Sequence, residues 1–219
     1  MKSSSFNIVI LGPQGSGKGT QAKMLVKKFQ MHHLEMGGIL RRIASKKTTL
    51  AIKVNRIINI DGRLLPSKFV IDILKQELDK LPTSRGVLFD GFPRNLEQAR
   101  ALDKILKLLN KSLTHVFYMP ISHQTTIKRL AARRTCKKCG RIFIAGQDMQ
   151  RNIRQCPVCR GEIYHREDDK PIAIAKRLAI YHKRTLPVVK YYKQRGILIT
   201  TSGEPSVQKV AKDIISNLV

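Results

Sequence analysis

Short apolar runs alternate with longer amphipathic stretches along most of the chain. The runs occupy residues 6–11 (FNIVIL), 86–90 (GVLFD), 115–119 (HVFYM) and 196–200 (GILIT), and they are rich in β-branched and aromatic residues. Such runs are typical of buried strands. Helical patterns separate them, so the order of the elements predicts a parallel sheet that is covered by helices.

Apolar residues recur at helical spacing in three of the stretches between these runs. The pattern covers residues 22–29, 70–78 and 96–109, and in each stretch it places the apolar side chains on one face of a helix. We therefore expect each of these helices to pack against the sheet through that face.

Proline and glycine predict where the later helices begin and end. Pro171 and Pro205 each stand where the first position of a helix is expected, and Gly196 is expected to end the long segment that begins at Pro171. Pro187 lies inside this segment. Because proline lacks a backbone N–H, we expect the helix to be kinked or interrupted there.

Two stretches break the alternation of strands and helices. Residues 35–65 are basic and mostly helical in pattern, whereas residues 134–168 contain all four cysteines and little helical pattern. We interpret both as inserts that project from one core, which would consist of residues 1–34, 66–133 and 169–219. A chain of 219 residues with 42% hydrophobic residues is large enough to bury such a core.

The chain is strongly basic, with 42 lysines and arginines against 15 acidic residues and a net charge of +27. A surface of this charge attracts molecules that carry phosphate groups. Two interpretations stay open: a lysine-rich surface that is simply solvated, or a surface that contacts nucleic acid or the ribosome.

No apolar stretch in the sequence approaches the roughly 20 residues that are needed to span a bilayer. The apolar run near the amino terminus is too short for the core of a secretion signal. We therefore expect a cytoplasmic protein, and in a reducing compartment paired cysteines indicate a metal site more than disulfides.

A glycine-rich motif, GPQGSGKGT, joins the first strand pattern to the first helix pattern. This is the context of a phosphate-binding loop, in which successive backbone N–H groups and the helix amino terminus face the phosphates. Lys18 would lie over the terminal phosphates. The motif predicts a nucleotide site in which the phosphates are bound by Gly15, Ser16, Gly17, Lys18, Gly19 and Thr20.

The motif differs from the general phosphate loop at one position. Gly19 follows the lysine, where a serine or threonine usually binds magnesium, and Thr20 comes one residue later. Magnesium must then be held by phosphates, water and a nearby carboxylate. Asp90 is the candidate, because it ends an apolar strand and so lies at the carboxyl edge of the sheet.

The four cysteines form two Cys-x-x-Cys pairs that are separated by sixteen residues. This spacing predicts a structural zinc site with four thiolate ligands: Cys136, Cys139, Cys156 and Cys159. A site that is filled by four protein ligands leaves no open position for a substrate. We therefore expect zinc to fold this insert and to take no part in catalysis.

The segments GPQGSGKGTQ, LFDGFPRNLEQA and REDDKPIAIAKRL resemble the adenylate kinase family in its long-lid form. The resemblance extends over essentially the whole chain. It implies a phosphate-loop nucleotide-binding fold with a five-stranded parallel sheet, a monophosphate-binding insert at 35–65 and a mobile lid at 134–168. It also implies the reversible reaction of ATP with AMP to give two ADP, with magnesium, in adenine nucleotide homeostasis, and it suggests a monomer.

The resemblance further implies roles for individual residues. Those that match contacts to AMP are Met36, Arg41, Arg63, Leu64, Leu65, Gly91, Arg94, Gln98, Arg166 and Arg177. Those that match contacts to ATP, besides the phosphate loop, are Arg129, Arg133, Ile142, Phe143 and Pro205. The groups expected to stabilise the transferred phosphoryl group are Lys18, Arg94, Arg133, Arg166 and Arg177. This assignment agrees with the chemistry, since phosphoryl transfer depends on positioning and on charge stabilisation.

One segment departs from the family. The usual Ser-Thr-Gly-Asp before the helix of the monophosphate insert reads Glu35-Met36-Gly37-Gly38 here. Met36 either packs in the core or changes the base that is selected. A monophosphate kinase that prefers another base therefore stays open as one alternative. The net charge and the cysteines leave a second alternative open, a basic zinc-ribbon protein that binds nucleic acid. The second leaves the DGFPR motif and the phosphate loop unexplained.

Overall fold

The computed structural model describes residues 6–61, 63–82 and 84–218. Residues 1–5, on which the argument against a secretion signal partly rests, lie outside this part. The described residues form eight strands: β1 (Ile8–Leu11), β2 (His32–Glu35), β3 (Val87–Asp90), β4 (His115–Tyr118), β5 (Arg133–Cys136), β6 (Ile142–Ile144), β7 (Ile163–Tyr164) and β8 (Leu198–Thr200). Five of them form a parallel sheet in the order β2-β3-β1-β4-β8.

The described residues also form nine α-helices, and these connect the strands. They are α1 (Lys18–Phe29), α2 (Met36–Ala44), α3 (Thr49–Asn55), α4 (Ser67–Asp79), α5 (Leu96–Leu108), α6 (His123–Ala132), α7 (Pro171–Ile180), α8 (Leu186–Gln194) and α9 (Val207–Ile215). Two π-helical segments, Arg56–Ile60 and Tyr181–Thr185, follow α3 and α7, and a short 3-10 helix covers Glu167–Asp169. No helix within the described residues is long and apolar enough to cross a membrane.

The parallel sheet confirms the predicted fold class. All four strands predicted from apolar runs are present, each one or two residues shorter than its run. The fifth strand, β2, had no such signal because its sequence is HHLE. It lies at the edge of the sheet and buries only Leu34 fully, so two histidines and a glutamate are tolerated there.

The predicted helix boundaries are confirmed with one exception. Pro171 occupies the first turn of α7, and Gly196 follows the end of α8 in the left-handed conformation, with φ 71°. The helix that contains Pro187 is interrupted by the π-helical segment just before it. The prediction for Pro205 was wrong, because the Ser206 side chain caps the helix and α9 begins one residue later.

The core lies on both faces of the parallel sheet. Side chains alternate along β1, so Val9 and Leu11 pack on one face, against α4, α5 and α8, while Ile8 and Ile10 pack on the other, against α1 and α9. Because both faces are covered, β1 is apolar throughout and fully buried. Its carboxyl end leads directly into the glycine-rich loop.

The cysteine-containing stretch forms a separate layer. Strands β5, β6 and β7 pair antiparallel in the order β6-β5-β7. Their small apolar cluster is built from Cys136, Phe143, Met149 and Cys156. Few apolar side chains support these strands, so the cluster depends on the cysteines themselves.

Candidate functional site

The glycine-rich loop wraps around the Lys18 side chain. The Lys18 ammonium donates hydrogen bonds to the Gly12 carbonyl (2.8 Å), the Pro13 carbonyl (2.6 Å) and Ser16 Oγ (3.3 Å). Gly17 lies in the left-handed conformation, with φ 91°, directly before α1. Burial lowers the pKa of Lys18 to about 8, although Asp90 opposes the shift. The loop thus holds a desolvated cation at the amino terminus of a helix.

A cavity opens between this loop, helix α2 and the DGFPR segment. Six basic side chains from different parts of the chain line it: Lys18, Arg41, Arg63, Arg94, Arg166 and Arg177. Leu64 and Gly91 line it as well. A cavity with this lining is suited to a ligand that carries several negative charges.

Two aspartates neutralise part of this arginine cluster. Arg166 donates hydrogen bonds of 2.8 Å and 2.6 Å to the Asp168 carboxylate, and Arg177 donates one of 2.7 Å to the same group. Arg133 forms a bidentate ion pair with Asp169, which is almost fully buried. Burial raises the pKa of Asp168, but Arg177 and Arg166 outweigh it and hold the pKa at about 2. Arg133 therefore faces Asp169 rather than the cavity.

The DGFPR segment fixes Arg94 through its backbone and side chain. The Arg94 Nε donates to the Gly91 carbonyl (2.9 Å), and the Arg94 backbone N–H donates to Gln98 Oε1 (2.7 Å). The Thr185 hydroxyl donates to the Arg94 carbonyl (2.9 Å) from the π-helical segment before α8. Burial lowers the pKa of the Arg94 guanidinium. These contacts hold a desolvated cation in one orientation.

Asp90 and Gly19 lie against each other at the end of β3. A Cβ atom on residue 19 would lie 3.3 Å from Asp90 Oδ2, so the absence of a side chain makes room for the carboxylate. His33 Nε2 lies 3.7 Å from the same oxygen. A carboxylate beside the phosphate loop is the kind of ligand that magnesium prefers. The residues present therefore fit a magnesium ion held near Asp90.

Arg129 does not line the cavity, but it contacts the phosphate loop. Its guanidinium donates to the carbonyls of Gly15 (3.2 Å), Gly203 (2.8 Å) and Glu204 (3.0 Å). These bonds connect the phosphate loop to the loop after β8, in which Pro205 is exposed. The predicted ATP contacts Arg129 and Pro205 are thus neighbours.

Several other predicted nucleotide contacts do not line the cavity. Met36 is 1% exposed and belongs to the main core, and Leu65 and Gln98 are also buried away from the cavity. In the cysteine layer, Phe143 packs inward, whereas Ile142 is 42% exposed. The burial of Met36 favours the interpretation that it packs in the core.

The cavity also contains side chains that the sequence did not single out. Gln14, Ile58, Ile180, Tyr181 and Thr185 all line it. Burial raises the pKa of the Tyr181 phenol far above its usual value. Tyr181 and Thr185 belong to the π-helical segment, which shifts them relative to an ordinary helix. In the sequence, the strongest signal that the α-helix is interrupted here was Pro187, two residues after Thr185.

The four cysteine sulfurs converge on one point. All lie within 4.8 Å of one another, with 3.5 Å between the sulfurs of Cys136 and Cys159 and 3.8 Å between those of Cys139 and Cys156. Tetrahedral zinc with bonds of about 2.3 Å needs sulfurs about 3.8 Å apart. The Cys139 backbone N–H lowers the pKa of the Cys136 thiol to about 6, whereas the Gly161 N–H is outweighed at Cys159, where burial and the neighbouring sulfurs raise the pKa of the thiol to about 12. The cluster therefore fits a closed zinc site.

Each Cys-x-x-Cys pair lies in a tight turn, and the two turns have the same hydrogen-bond pattern. The Gly140 N–H donates to the Cys136 carbonyl (3.0 Å), and the Arg160 N–H donates to the Cys156 carbonyl (2.9 Å). Both residues that follow a pair are left-handed, Gly140 with φ 66° and Arg160 with φ 58°. Glycine adopts this conformation without strain, whereas arginine does not.

A family model and individual relatives both match this chain to adenylate kinases. The family model described as adenylate kinase matches residues 10–197. The adenylate kinase of Methanocella arvoryzae is 39% identical over 209 residues, which cover 95% of this chain and 96% of the relative. Those of Caldicellulosiruptor bescii and Geotalea daltonii are 37% and 36% identical over 213 residues, which cover 97% of this chain and 99% of each relative.

Proposed function

The chain belongs to the adenylate kinase family, and we propose that the cavity described above transfers a phosphoryl group from ATP to AMP, giving two ADP. The observation that carries the proposal is the convergence of Lys18 and five arginines on one cavity beside a phosphate loop. A nucleic-acid-binding zinc ribbon gives no reason for this convergence, so it is not favoured.

Each half of the proposed active site, which extends from the cavity to Arg129 and Pro205, has its own ligand. On the ATP side, Lys18 and the backbone of the phosphate loop bind the terminal phosphates, and Arg129 with the loop at Pro205 holds the adenine. On the AMP side, Arg41 and Arg94 bind the monophosphate. Arg63 and Leu64, which line the cavity, contact the base.

The transferred group passes between these two halves. Its transition state spreads negative charge over the phosphoryl oxygens, and preorganised cations stabilise that charge. Arg166 and Arg177 reach this position from the cavity wall, and Arg133 joins them when it leaves Asp169. Asp90 would hold a magnesium ion beside the ATP phosphates, where the ion would neutralise part of their charge.

Two aspartates pair with three of the arginines proposed to act in phosphoryl transfer. Asp168 binds both Arg166 and Arg177, so these cations are neutralised and oriented before a nucleotide arrives. Phosphate oxygens then replace carboxylate oxygens as acceptors. This exchange limits the cost of burying several like charges around one cavity.

The two inserts move as separate units around the core. We assign residues 35–65 to AMP binding and residues 134–168 to a lid that closes over ATP. Zinc bound by the four cysteines would make the lid a rigid body, because its apolar cluster is small. Closure excludes water and so limits hydrolysis of ATP.

The protein is proposed to act as a cytoplasmic monomer. Four free cysteines grouped as a metal site suit a reducing compartment. The net charge of +27 supports at most a secondary, non-specific contact with nucleic acid, which salt would weaken steeply.

Site-directed variants test the proposed site. Lys18→Ala and Arg94→Ala are expected to lower the rate of ADP formation from ATP and AMP by about 10²–10³-fold, because each removes a preorganised cation. Lys23→Ala and Arg100→Ala are the matched controls, since both residues are exposed, and they should retain the wild-type rate. Wild-type turnover in the Lys18 or Arg94 variant would overturn the site assignment.

A further inference from the structure

The start of helix α2 carries a carboxylate at an unexpected position. The family pattern places serine at position 35 and aspartate at position 38, whereas this chain has Glu35 and Gly38. A Cβ atom on residue 38 would lie 3.2 Å from the Glu35 carboxyl carbon and 3.3 Å from each carboxylate oxygen. The carboxylate of Glu35 therefore lies directly against position 38.

The same carboxylate binds Arg41. Arg41 Nη2 donates a hydrogen bond of 2.7 Å to Glu35 Oε1. Gly37 also makes room for this pair, because a Cβ atom there would lie 3.1 Å from Arg41 Nη1. Two consecutive glycines thus allow a guanidinium and a carboxylate to meet across the first turn of the helix.

The arrangement leaves Arg41 free to bind an anion. Arg41 lines the cavity and Glu35 does not, so the carboxylate holds the guanidinium from outside the cavity. Glu35 uses one of the five N–H donors of the guanidinium in the hydrogen bond described, and the others can face a ligand. Glu35 does not act as the helix cap through its side chain.

Charge gives a reason for the carboxylate. Burial lowers the pKa of Arg41, nearby Arg166 lowers it further, and Glu35 opposes both. Arg41 is therefore held close to another cation of the cavity. Without a carboxylate at its side, the guanidinium is expected to turn away from Arg166 and toward water.

We propose that Glu35 is a positioning residue for Arg41, and that it supplies from position 35 the carboxylate that the family pattern places at position 38. The proposal rests on the role of Arg41 in binding the AMP phosphate. On this proposal, Glu35 and Gly38 together represent one carboxylate that has moved from position 38 to position 35. It predicts that moving the carboxylate back to position 38 preserves the binding of AMP.

The test measures KM for AMP, KM for ATP and kcat in six variants. Glu35→Gln and Glu35→Ser remove the charge and are expected to raise KM for AMP about two- to five-fold, since the pair is partly exposed. KM for ATP should stay within about two-fold of wild type, because Glu35 is hydrogen-bonded to Arg41, which is proposed to bind AMP, and not to Lys18 of the phosphate loop. Glu77→Ser, which removes an exposed ion pair with Lys80, is the matched control and should leave all three constants unchanged.

The double variant Glu35→Ser with Gly38→Asp tests directly whether a carboxylate at position 38 can replace Glu35. It restores a carboxylate at position 38, and we expect KM for AMP to return to within two-fold of wild type. The single variant Gly38→Asp should instead raise KM for AMP, because it crowds a second negative charge against Glu35. A purely structural role for Glu35 would not produce this rescue.

Arg41→Ala separates the failure of this proposal from the failure of the proposed function. If Arg41→Ala raises KM for AMP at least tenfold while both Glu35 variants leave it unchanged, the positioning role of Glu35 is wrong. If KM for AMP in the double variant is as high as in Glu35→Ser, a carboxylate at position 38 does not replace the one at position 35, and that part of the proposal is wrong. If Arg41→Ala itself leaves KM for AMP unchanged, the proposed AMP site is wrong, and the proposal for Glu35 fails with it.

Discussion

Arg166 and Asp168 form a bidentate ion pair inside the protein, with hydrogen bonds of 2.8 Å and 2.6 Å. The two residues are separated by only one position in the sequence, and Asp168 also accepts a bond from Arg177 on α7. The Asp168 carboxylate therefore connects the end of the proposed lid to α7. The Asp168 carboxylate thus provides the negative charge around which two cavity arginines are ordered.

Replacing Asp168 by asparagine is expected to destabilise the protein. The substitution leaves Arg166 and Arg177 as buried cations without their carboxylate, which costs about 3 kcal/mol or more. Urea denaturation of the zinc-loaded protein measures this loss. The matched control is Asp213→Asn, whose partner Lys209 is exposed, and its effect should lie within about 0.5 kcal/mol. Equal effects of the two substitutions would contradict the role of Asp168.

The affinity for ATP is expected to depend on the protonation of Lys18. The pKa of Lys18 in the free protein is about 8, so raising the pH above 8 removes the positive charge that binds phosphate. Kd for ATP should therefore rise by up to about tenfold between pH 7 and pH 9.

Calorimetric titration at several pH values measures this dependence. Lys18→Met binds more weakly at neutral pH and lacks the titrating group, so its Kd should change much less over the same range. Parallel curves for the wild type and Lys18→Met would show that another group controls the pH dependence.

Removal of zinc is expected to unfold the lid before the core. The chelated protein, with magnesium restored, should melt several degrees lower, and protease should cleave it within residues 136–159. Cys139→Ser should behave like the chelated protein, and zinc should not rescue it fully. A metal-free protein with unchanged melting temperature and protease resistance would rule out this role of the metal.

The two turns of the zinc site are expected to respond oppositely to substitution. Arg160→Gly relieves the strain of a left-handed arginine and should stabilise the lid by about 1 kcal/mol, whereas Gly140→Ala introduces such strain and should destabilise it by a similar amount. Thermal unfolding of the zinc-loaded variants measures both changes. Shifts of the same sign would be inconsistent with equivalent turns.

Most of the fold could be predicted because the sheet is buried on both faces. Strands such as β1 must then be apolar along their whole length, which produces a clear signal in the sequence. Edge strand β2 is partly exposed and carries His32 and His33, so local pattern did not identify it. Pro187 indicated that this helix is interrupted, but local pattern did not predict the π-helical form of Tyr181–Thr185, where Thr185 donates a hydrogen bond to the Arg94 carbonyl.

The candidate site was predictable where a short motif fixes its geometry. The phosphate loop and the cysteine pairs are each held by local backbone, and the structure brings their side chains together as expected. Of the residues assigned through resemblance alone, some line the cavity and others do not. Met36 is packed in the core, and the relation between Glu35 and Gly38 becomes visible only when the carboxylate is placed in three dimensions.

The most direct test of the account is a comparison of four acceptors in one assay. ADP formation from ATP is measured with AMP, GMP, CMP or UMP, using the zinc-loaded protein and magnesium. We expect kcat/KM for AMP to exceed that for each of the other three by at least about tenfold, because the chain belongs to the adenylate kinase family. Equal or better use of GMP, CMP or UMP, or no AMP-dependent formation of ADP, would contradict the central claim.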